Sequence, residues 1–311
     1  MRIALGCMGL SGAYGKTDDA QSLAFIQAAI ERGVTFLDTG DHYGSGHNEL
    51  LIGKAIAGHR DKVQLSVKFG VLRGPGGGLG GIDARPVAVK NFLAYSLVRL
   101  GTDHVDVYRP ARLDPAVPIE DTIGAIADLV KAGYVRSIGL SEVGPETIRR
   151  AAKVHPIADL QIEYSIASRG PEDAIFVVLA ELGIGATLYG VLSRGLLAGS
   201  PIGPGDGRAH MPRFSGANGE ANARVVAGLQ ALAQRWGITT SQLAIGYVLG
   251  KQPQFVPTLG MRTIRQLDEA LAAKPLTAEQ LADVEAIAPR GAITGTRYPA
   301  AAMSALDSEK R

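Results

Sequence analysis

Short apolar runs rich in β-branched residues alternate with segments of helical period along the whole chain, and this alternation restricts the fold more than any single motif. The candidate strands are Ile3–Met8, Val34–Asp38, Val63–Lys68, Val105–Tyr108, Ser137–Leu140, Leu160–Glu163, Ala186–Tyr189 and Phe255–Leu259. Between the first two, Thr17-Asp-Asp opens a helix whose Leu23, Ile26 and Ile30 recur on one face until Gly33 stops it. Pro86 through Leu100, Ile119 to Lys131 and Glu146 to Val154 repeat the pattern, and further helices are expected over Ala221–Trp236, Ser241–Leu249 and Thr277–Ile287. Eight strands, each followed by a helix, is the count of a closed barrel. A doubly wound sheet would need fewer strands and an early GxGxxG turn, which none of the first turns carries. The fold class expected is α/β, a (β/α)8 TIM barrel.

No composition break marks a second domain, so residues 1–311 are expected to form one unit, with 46% hydrophobic residues to fill its core. The 32 basic and 30 acidic residues are spread along the chain without a basic run, which argues against nucleic acid or a membrane surface as partner. A single cysteine leaves no internal disulfide framework and fits a reducing compartment. Ala4-Leu-Gly-Cys7 superficially resembles a lipoprotein cleavage site, but only three apolar residues separate Arg2 from Gly6, too few for a signal core. A cytoplasmic location is expected. The six histidines form no HxH or HExxH pattern, so no metal site is expected. Gly74 to Gly81 lacks the Lys-Ser/Thr of a phosphate loop and reads as a flexible loop over the barrel mouth. Leu192 to Gly219, rich in Gly and Pro, is the longest irregular stretch, a length usual for functional lids or disordered segments.

The chemistry concentrates in Asp38-Thr-Gly-Asp-His-Tyr43 and in Lys68, at the ends of consecutive strands. A free phenol has a pKa of about 10, and an adjacent ammonium would stabilise its phenolate. Lys68 is therefore expected to tune Tyr43, with Asp38 holding the ammonium in place. Taken singly, Asp38 reads as a helix cap, Tyr43 as a half-exposed aromatic and Lys68 as a strand-end lysine. Their convergence at one end of a sheet favours proton transfer to or from an oxygen.

Together with Gly6-Cys-Met-Gly-Leu10, Val67-Lys-Phe-Gly70, Leu100-Gly-Thr-Asp-His-Val-Asp-Val-Tyr108, Ile138-Gly-Leu-Ser-Glu142, Leu160-Gln-Ile-Glu-Tyr164 and the stretch from Gly260-Met-Arg262 to Leu267, these motifs resemble the aldo-keto reductase superfamily over nearly the whole chain. The resemblance implies a barrel that binds NADPH across its mouth and passes hydride to an aldehyde or ketone, with Tyr43 as proton donor and Lys68 and Asp38 as its tuning pair. It places Cys7 and Met8 beside the nicotinamide, Ser141 and Gln161 on the carboxamide, and Tyr189 under the ring. Gly190, Leu192 and Ser193 would follow the pyrophosphate. Gly260, Arg262 and Gln266 would meet the adenosine phosphate, where a helix start and a guanidinium favour NADPH over NADH.

The chain departs from the family pattern in four places. Ala111 stands where the family has a catalytic histidine, with Arg109, Arg112 and His42 as possible replacements. Glu142 stands where asparagine is frequent, and Ala270 where an adenine-contacting asparagine is frequent. The chain also starts almost at its first strand, without the family's N-terminal hairpin. The expected partner is a small carbonyl or alcohol substrate, and the sequence sets no oligomeric state. The competing function is an NADPH-binding sensor with little turnover, motivated by the missing histidine.

Overall fold

The computed structural model describes residues 3–203 and 206–310. Strands β1 (Ala4–Gly6), β2 (Phe36–Gly40) and β3 (Gln64–Phe69) are followed by a short pair, β4 (Val71–Arg73) and β5 (Leu79–Ile82), then by β6 (Val105–Pro110), β7 (Val135–Ser141), β8 (Ile157–Glu163), β9 (Gly185–Tyr189) and β10 (Val256–Gly260). All strands but β4 and β5 form a closed parallel barrel in the order β1-β2-β3-β6-β7-β8-β9-β10.

Around it lie α1 (Asp19–Glu31), α2 (His47–Ile56), α3 (Pro86–Leu100), α4 (Ile119–Lys131), α5 (Pro145–Val154), α6 (Ile175–Leu182), α7 (Gly216–Arg235), α8 (Thr240–Lys251), α9 (Ile264–Leu271), α10 (Ala278–Ile287) and the short α11 (Ala300–Met303). The helix starts follow from the local chemistry. Asp18 accepts from the Gln21 amide at 2.8 Å, α3 and α5 carry proline in the first turn, and Thr239 and Thr277 form capping boxes with Gln242 and Gln280. Among the described residues no helix is long and apolar enough to cross a membrane, and no cluster of His, Cys, Asp or Glu could hold a metal.

Two layers divide the interior. Leu5, Leu37, Leu65, Leu160 and Leu188 are fully buried in the main core with apolar residues of the surrounding helices, each worth about 1.5–3 kcal/mol for full burial of its side chain. A separate small cluster of Ala4, Phe36 and Val107, with Val256 against it, comes from residues of β1, β2, β6 and β10. Two positions further along three of these strands stand Asp38, Arg109 and Thr258, so the same strand faces turn polar toward the mouth.

Three sequence expectations shift. The first strand ends at Gly6 because Cys7–Ser11 turns into a 3-10 helix closed by Gly12 in the left-handed region (φ 81°). The stretch 74–81 is not a free loop: β4 and β5 pair antiparallel, and Gly70 (φ 98°) turns the chain so that its carbonyl accepts from the Asp83 amide at 2.8 Å. In the stretch from Leu192 to Gly219, α7 already begins at Gly216, and much of the rest is tied down. Arg208 Nη1 donates to the Arg194 carbonyl at 2.8 Å, and the buried Arg213 bonds Glu163, Ser193, Ser168 and the Ala167 carbonyl.

Candidate active site

Parallel registration brings the trio together. Asp38 is paired with Ser66 across β2 and β3, and Gly40 with Lys68, so both ionisable groups stand at the C-terminal rim. Both are buried. Lys68 Nζ donates to Asp38 Oδ2 at 2.5 Å, while Asp38 Oδ1 accepts from Ser66 Oγ at 3.0 Å and from Gln161 Nε2 at 2.8 Å. Tyr43 enters from the turn after β2, where Gly44, Ser45 and Gly46 all have positive φ. The ammonium lies 5.2 Å from the Tyr43 ring centroid, and His42 packs edge-on against that ring at 4.6 Å.

The phenol is not acidified in this setting. Burial pushes Tyr43 well above its ordinary value, the Asp38 charge pushes it further, and the opposing cation is Arg112. Burial likewise lowers Lys68, against the Asp38 pair that holds its proton and with a smaller lowering contribution from Arg109. This differs from the expectation that Lys68 brings the phenol down. Tyr43 carries its proton at neutral pH, the form a donor requires.

Around Ala111 the three candidate replacements separate. Arg109 is completely buried inside the barrel, bonded to Ser66, Asp159 and the Leu140 carbonyl, and so does not face a substrate. His42 is held by Asp41 at 3.1 Å, and burial lowers its pKa. Arg112 donates to the Ala111 carbonyl at 2.6 Å, and its charge acts on Tyr43, Tyr189, Tyr298 and Glu142. Among the described residues it forms no ion pair.

The residues assigned to the nucleotide fall into three groups. Cys7 and Met8 open the turn after β1; burial pushes the Cys7 thiol far up, and its carbonyl accepts from Asn48 at 2.9 Å. Ser141 and Gln161 are register partners at the ends of β7 and β8, but the Gln161 amide nitrogen is drawn into the Asp38 network, bonded to Asp38 and at 3.3 Å to Thr187 Oγ1. Tyr189 ends β9, and Gly190 (φ 68°) turns away where any Cβ would come within 2.7 Å of Glu163. Leu192 and the buried Ser193 continue that turn. Gly260 ends β10, and Gln266 accepts from the Arg262 amide at 2.9 Å beside the start of α9. Arg262 is exposed and, among the described residues, forms no ion pair. Ala270 is buried in the core.

Glu142, expected beside a carboxamide, is occupied elsewhere. It stands at φ 54° and is fully buried. Arg297 donates to its two oxygens at 2.8 and 2.5 Å, Ser308 Oγ at 2.6 Å, Tyr189 Oη at 2.7 Å and the Glu163 amide at 3.0 Å. The tail is thereby strapped to the end of β7, and Asp307 adds bonds to the Gly144 amide (2.9 Å) and Thr147 Oγ1 (2.7 Å). Tyr298 comes to 3.2 Å from the Tyr189 hydroxyl, with the Arg194 guanidinium 4.4 Å from its ring centroid. Tyr14 shares this field, since Arg194, Tyr298 and Glu163 all act on it.

Ser66, Asp159, Tyr14 and Arg213 are not singled out by the sequence pattern. The available signal was the run Asp159-Leu-Gln161-Ile-Glu163, polar at every second position of one strand, which marks a strand face lined by polar groups.

The profile of the Aldo/keto reductase family matches residues 2–289. The chain is 38% identical over 307 residues to Probable aldo-keto reductase 1 of Glycine max, covering 96% of this chain and 88% of that protein. Among solved structures, the glycerol dehydrogenase of Gluconobacter oxydans superimposes with a TM-score of 0.85 at 25% identity, covering 95% of this chain and 93% of that one. An aldo-keto reductase of Bacillus halodurans, solved in its holo form, gives 0.75 at 29% identity, covering 92% of each chain. By its sequence profile, its relatives and its barrel, this chain belongs to the aldo/keto reductase family and is an oxidoreductase.

Proposed function

We propose that the chain reduces an aldehyde or ketone to the alcohol, reversibly and with NADPH, as an alcohol dehydrogenase (NADP+) type enzyme in which Tyr43 gives the proton. The observation that carries this reading is a protonated, buried phenol beside a buried Asp38–Lys68 ion pair, all at one rim of the barrel. Buried ion pairs are costly to keep, and a purely structural rim would be as stable with apolar residues.

The residues present fit the nucleotide. Ser141 stands in register beside Gln161, Tyr189 is part-exposed at the end of β9, and Arg262 offers a guanidinium that forms no ion pair among the described residues, beside the first turn of α9. A bidentate guanidinium suits a 2′-phosphate, hence NADPH. When bound, the cofactor supplies the hydride to the carbonyl carbon.

The protein does the rest. Tyr43 donates its proton to the carbonyl oxygen, and the phenolate left behind is stabilised by Arg112, the cation acting on it, with the Lys68 ammonium, held in place by Asp38, 5.2 Å from its ring. Arg112 takes the histidine's place as the group that orients the substrate oxygen. Tyr189, Tyr298 and Tyr14 wall the mouth and keep water from the transfer. The test is Tyr43→Phe, assayed by NADPH oxidation with a panel of aldehydes and by fluorescence titration of NADPH. Loss of general acid catalysis should lower turnover by roughly 10²–10⁴ with NADPH affinity kept, and full activity in the variant refutes the assignment.

A second reading is an NADPH-binding sensor, which Ala111 and the elevated Tyr43 pKa favour. Tight NADPH binding with no turnover on any aldehyde would select it.

A further inference from the structure

Beneath the catalytic carboxylate lies a second ion pair that the reaction as described does not use. Arg109 reaches across the bore from β6: Nη1 donates to Asp159 Oδ2 at 3.1 Å and to the Leu140 carbonyl at 3.2 Å, and Nη2 lies 3.0 Å from Asp159 Oδ1. Nη2 also donates to Ser66 Oγ at 3.0 Å, and Ser66 in turn donates to Asp38 Oδ1 at 3.0 Å. The result is a line of charges of alternating sign, Asp159, Arg109, Asp38 and Lys68, with the Ser66 hydroxyl bridging the two pairs.

A second route runs through β9. Thr187 Oγ1 donates to Asp159 Oδ2 at 2.9 Å and accepts from Gln161 Nε2, which also donates to Asp38. The bore is shaped for this pair. A Cβ on Gly139 of β7 would stand 2.9 Å from both Arg109 Cζ and Asp159 Oδ1, so glycine leaves the width the guanidinium needs. The fold itself does not demand charge here, since the cluster two positions back along the strands is apolar.

We propose that Arg109, compensated by Asp159, is a positioning residue of the reductase site, fixing Asp38 through Ser66 and setting the pH at which the Tyr43–Lys68 pair gives up its proton. The inference rests on Tyr43 being the donor. The groups whose charges act on Lys68 include Asp38, Arg109 and Cys7, and those on Tyr43 include Asp38, Arg112, Tyr14 and Tyr298; His42, paired with Asp41, also lies against the Tyr43 ring and feels the Lys68 charge. Strands β7, β9 and β10 contribute Gly139, Thr187 and Thr258, none of which titrates.

A positive charge lowers the pKa of an ammonium by repulsion and of a phenol by stabilising its anion, so its effect on both members has one sign. Reduction needs Tyr43 protonated, so kcat/KM falls on the alkaline side at the pKa of this pair. Asp159→Asn keeps the Arg109 bonds to Ser66 and Leu140 and leaves its charge uncompensated. The alkaline limb should then move down by about one pH unit, the scale of one charge at this range in a protein interior. Adding Arg109→Gln to that variant should return the limb to the parent position or above it, and Arg109→Lys alone should leave it in place.

A limb unmoved in Asp159→Asn while the variant folds and binds NADPH overturns the inference, as does an equal shift in Arg109→Lys. Should Asp159→Asn fail to fold, Arg109→Gln alone leaves the Asp159 charge uncompensated and should move the limb up against Arg109→Lys, which keeps the pair; coincident limbs in these two variants overturn the inference. Full activity in Tyr43→Phe would instead sink the donor assignment, whereas an inactive Tyr43→Phe with unmoved limbs sinks only the role of Arg109.

Discussion

Arg297→Gln removes one partner of the pair that straps the tail to the mouth, and its cost follows from the Glu142 environment. Burial would push the Glu142 carboxyl up, but hydrogen bonds and charge from Arg297, with Arg112 and Ser308 adding, override it and hold the group at about 2 against an ordinary 4.5. The pair is sized from the carboxylate side, because arginine stays charged at every accessible pH. A depression of about 2.5 units, at about 1.4 kcal/mol each, is about 3.5 kcal/mol, of which Arg297 supplies the largest share. The folded pKa lies below the unfolded one, so this stability is present above about pH 4.5 and is lost as the pH falls toward 2.

In the variant at neutral pH, Glu142 must stay charged without its arginine or take up a proton, and either way the strap weakens. With an unfolding entropy near 2 cal/mol/K per residue over 311 residues, about 3.5 kcal/mol corresponds to a Tm lower by about 5–6 °C. Scanning calorimetry at pH 7, 5 and 3 should show that deficit at pH 7 and its shrinkage at pH 3. Glu142→Gln/Arg297→Gln should recover most of it, because no buried charge is left alone. A drop of less than about 1 °C at pH 7, or a deficit of constant size down to pH 3, would refute the reasoning.

Two further outcomes are expected. Arg262→Leu should weaken NADPH binding by about tenfold and NADH binding much less, the size of one charge-assisted contact to phosphate; equal loss for both nucleotides in fluorescence titrations would remove Arg262 from the 2′-phosphate. Arg112→Leu should lower kcat/KM for aldehydes by roughly 10²–10³-fold with NADPH affinity unchanged, as loss of one donor to a developing oxyanion does; unaltered kinetics would leave the histidine's role to another group.

The barrel was readable because its strand signal is local. Asp38 and Lys68 each close an apolar run, so parallel registration puts them on one rim without further information. The β4–β5 hairpin was hidden because its second strand, Leu79-Gly-Gly-Ile82, contains two glycines and little β propensity, and its pairing is set by the turn over 74–78, closed by the Gly74 amide on the Gly78 carbonyl with Gly77 at positive φ. The fate of Arg109 was hidden for another reason. Its neighbour Ala111 marks the mouth, but the side chain runs inward into a space opened by Gly139, 30 residues on, and closed by Asp159. The tail strap joins residues 155 positions apart, which no local period can register. Glu142 stood out only as the wrong residue beside a carboxamide, and its partners give the reason for it.

The alternating charges in the bore also govern how such a chain can change over generations. Exchanging Arg109 alone strands Asp159, and exchanging Asp159 alone strands Arg109, so each single step passes through a poorer protein. Drift at these positions is therefore expected to proceed by joint replacement, and homologues sampled around this chain should show both members or neither, with a larger residue at 139 wherever the pair has been lost.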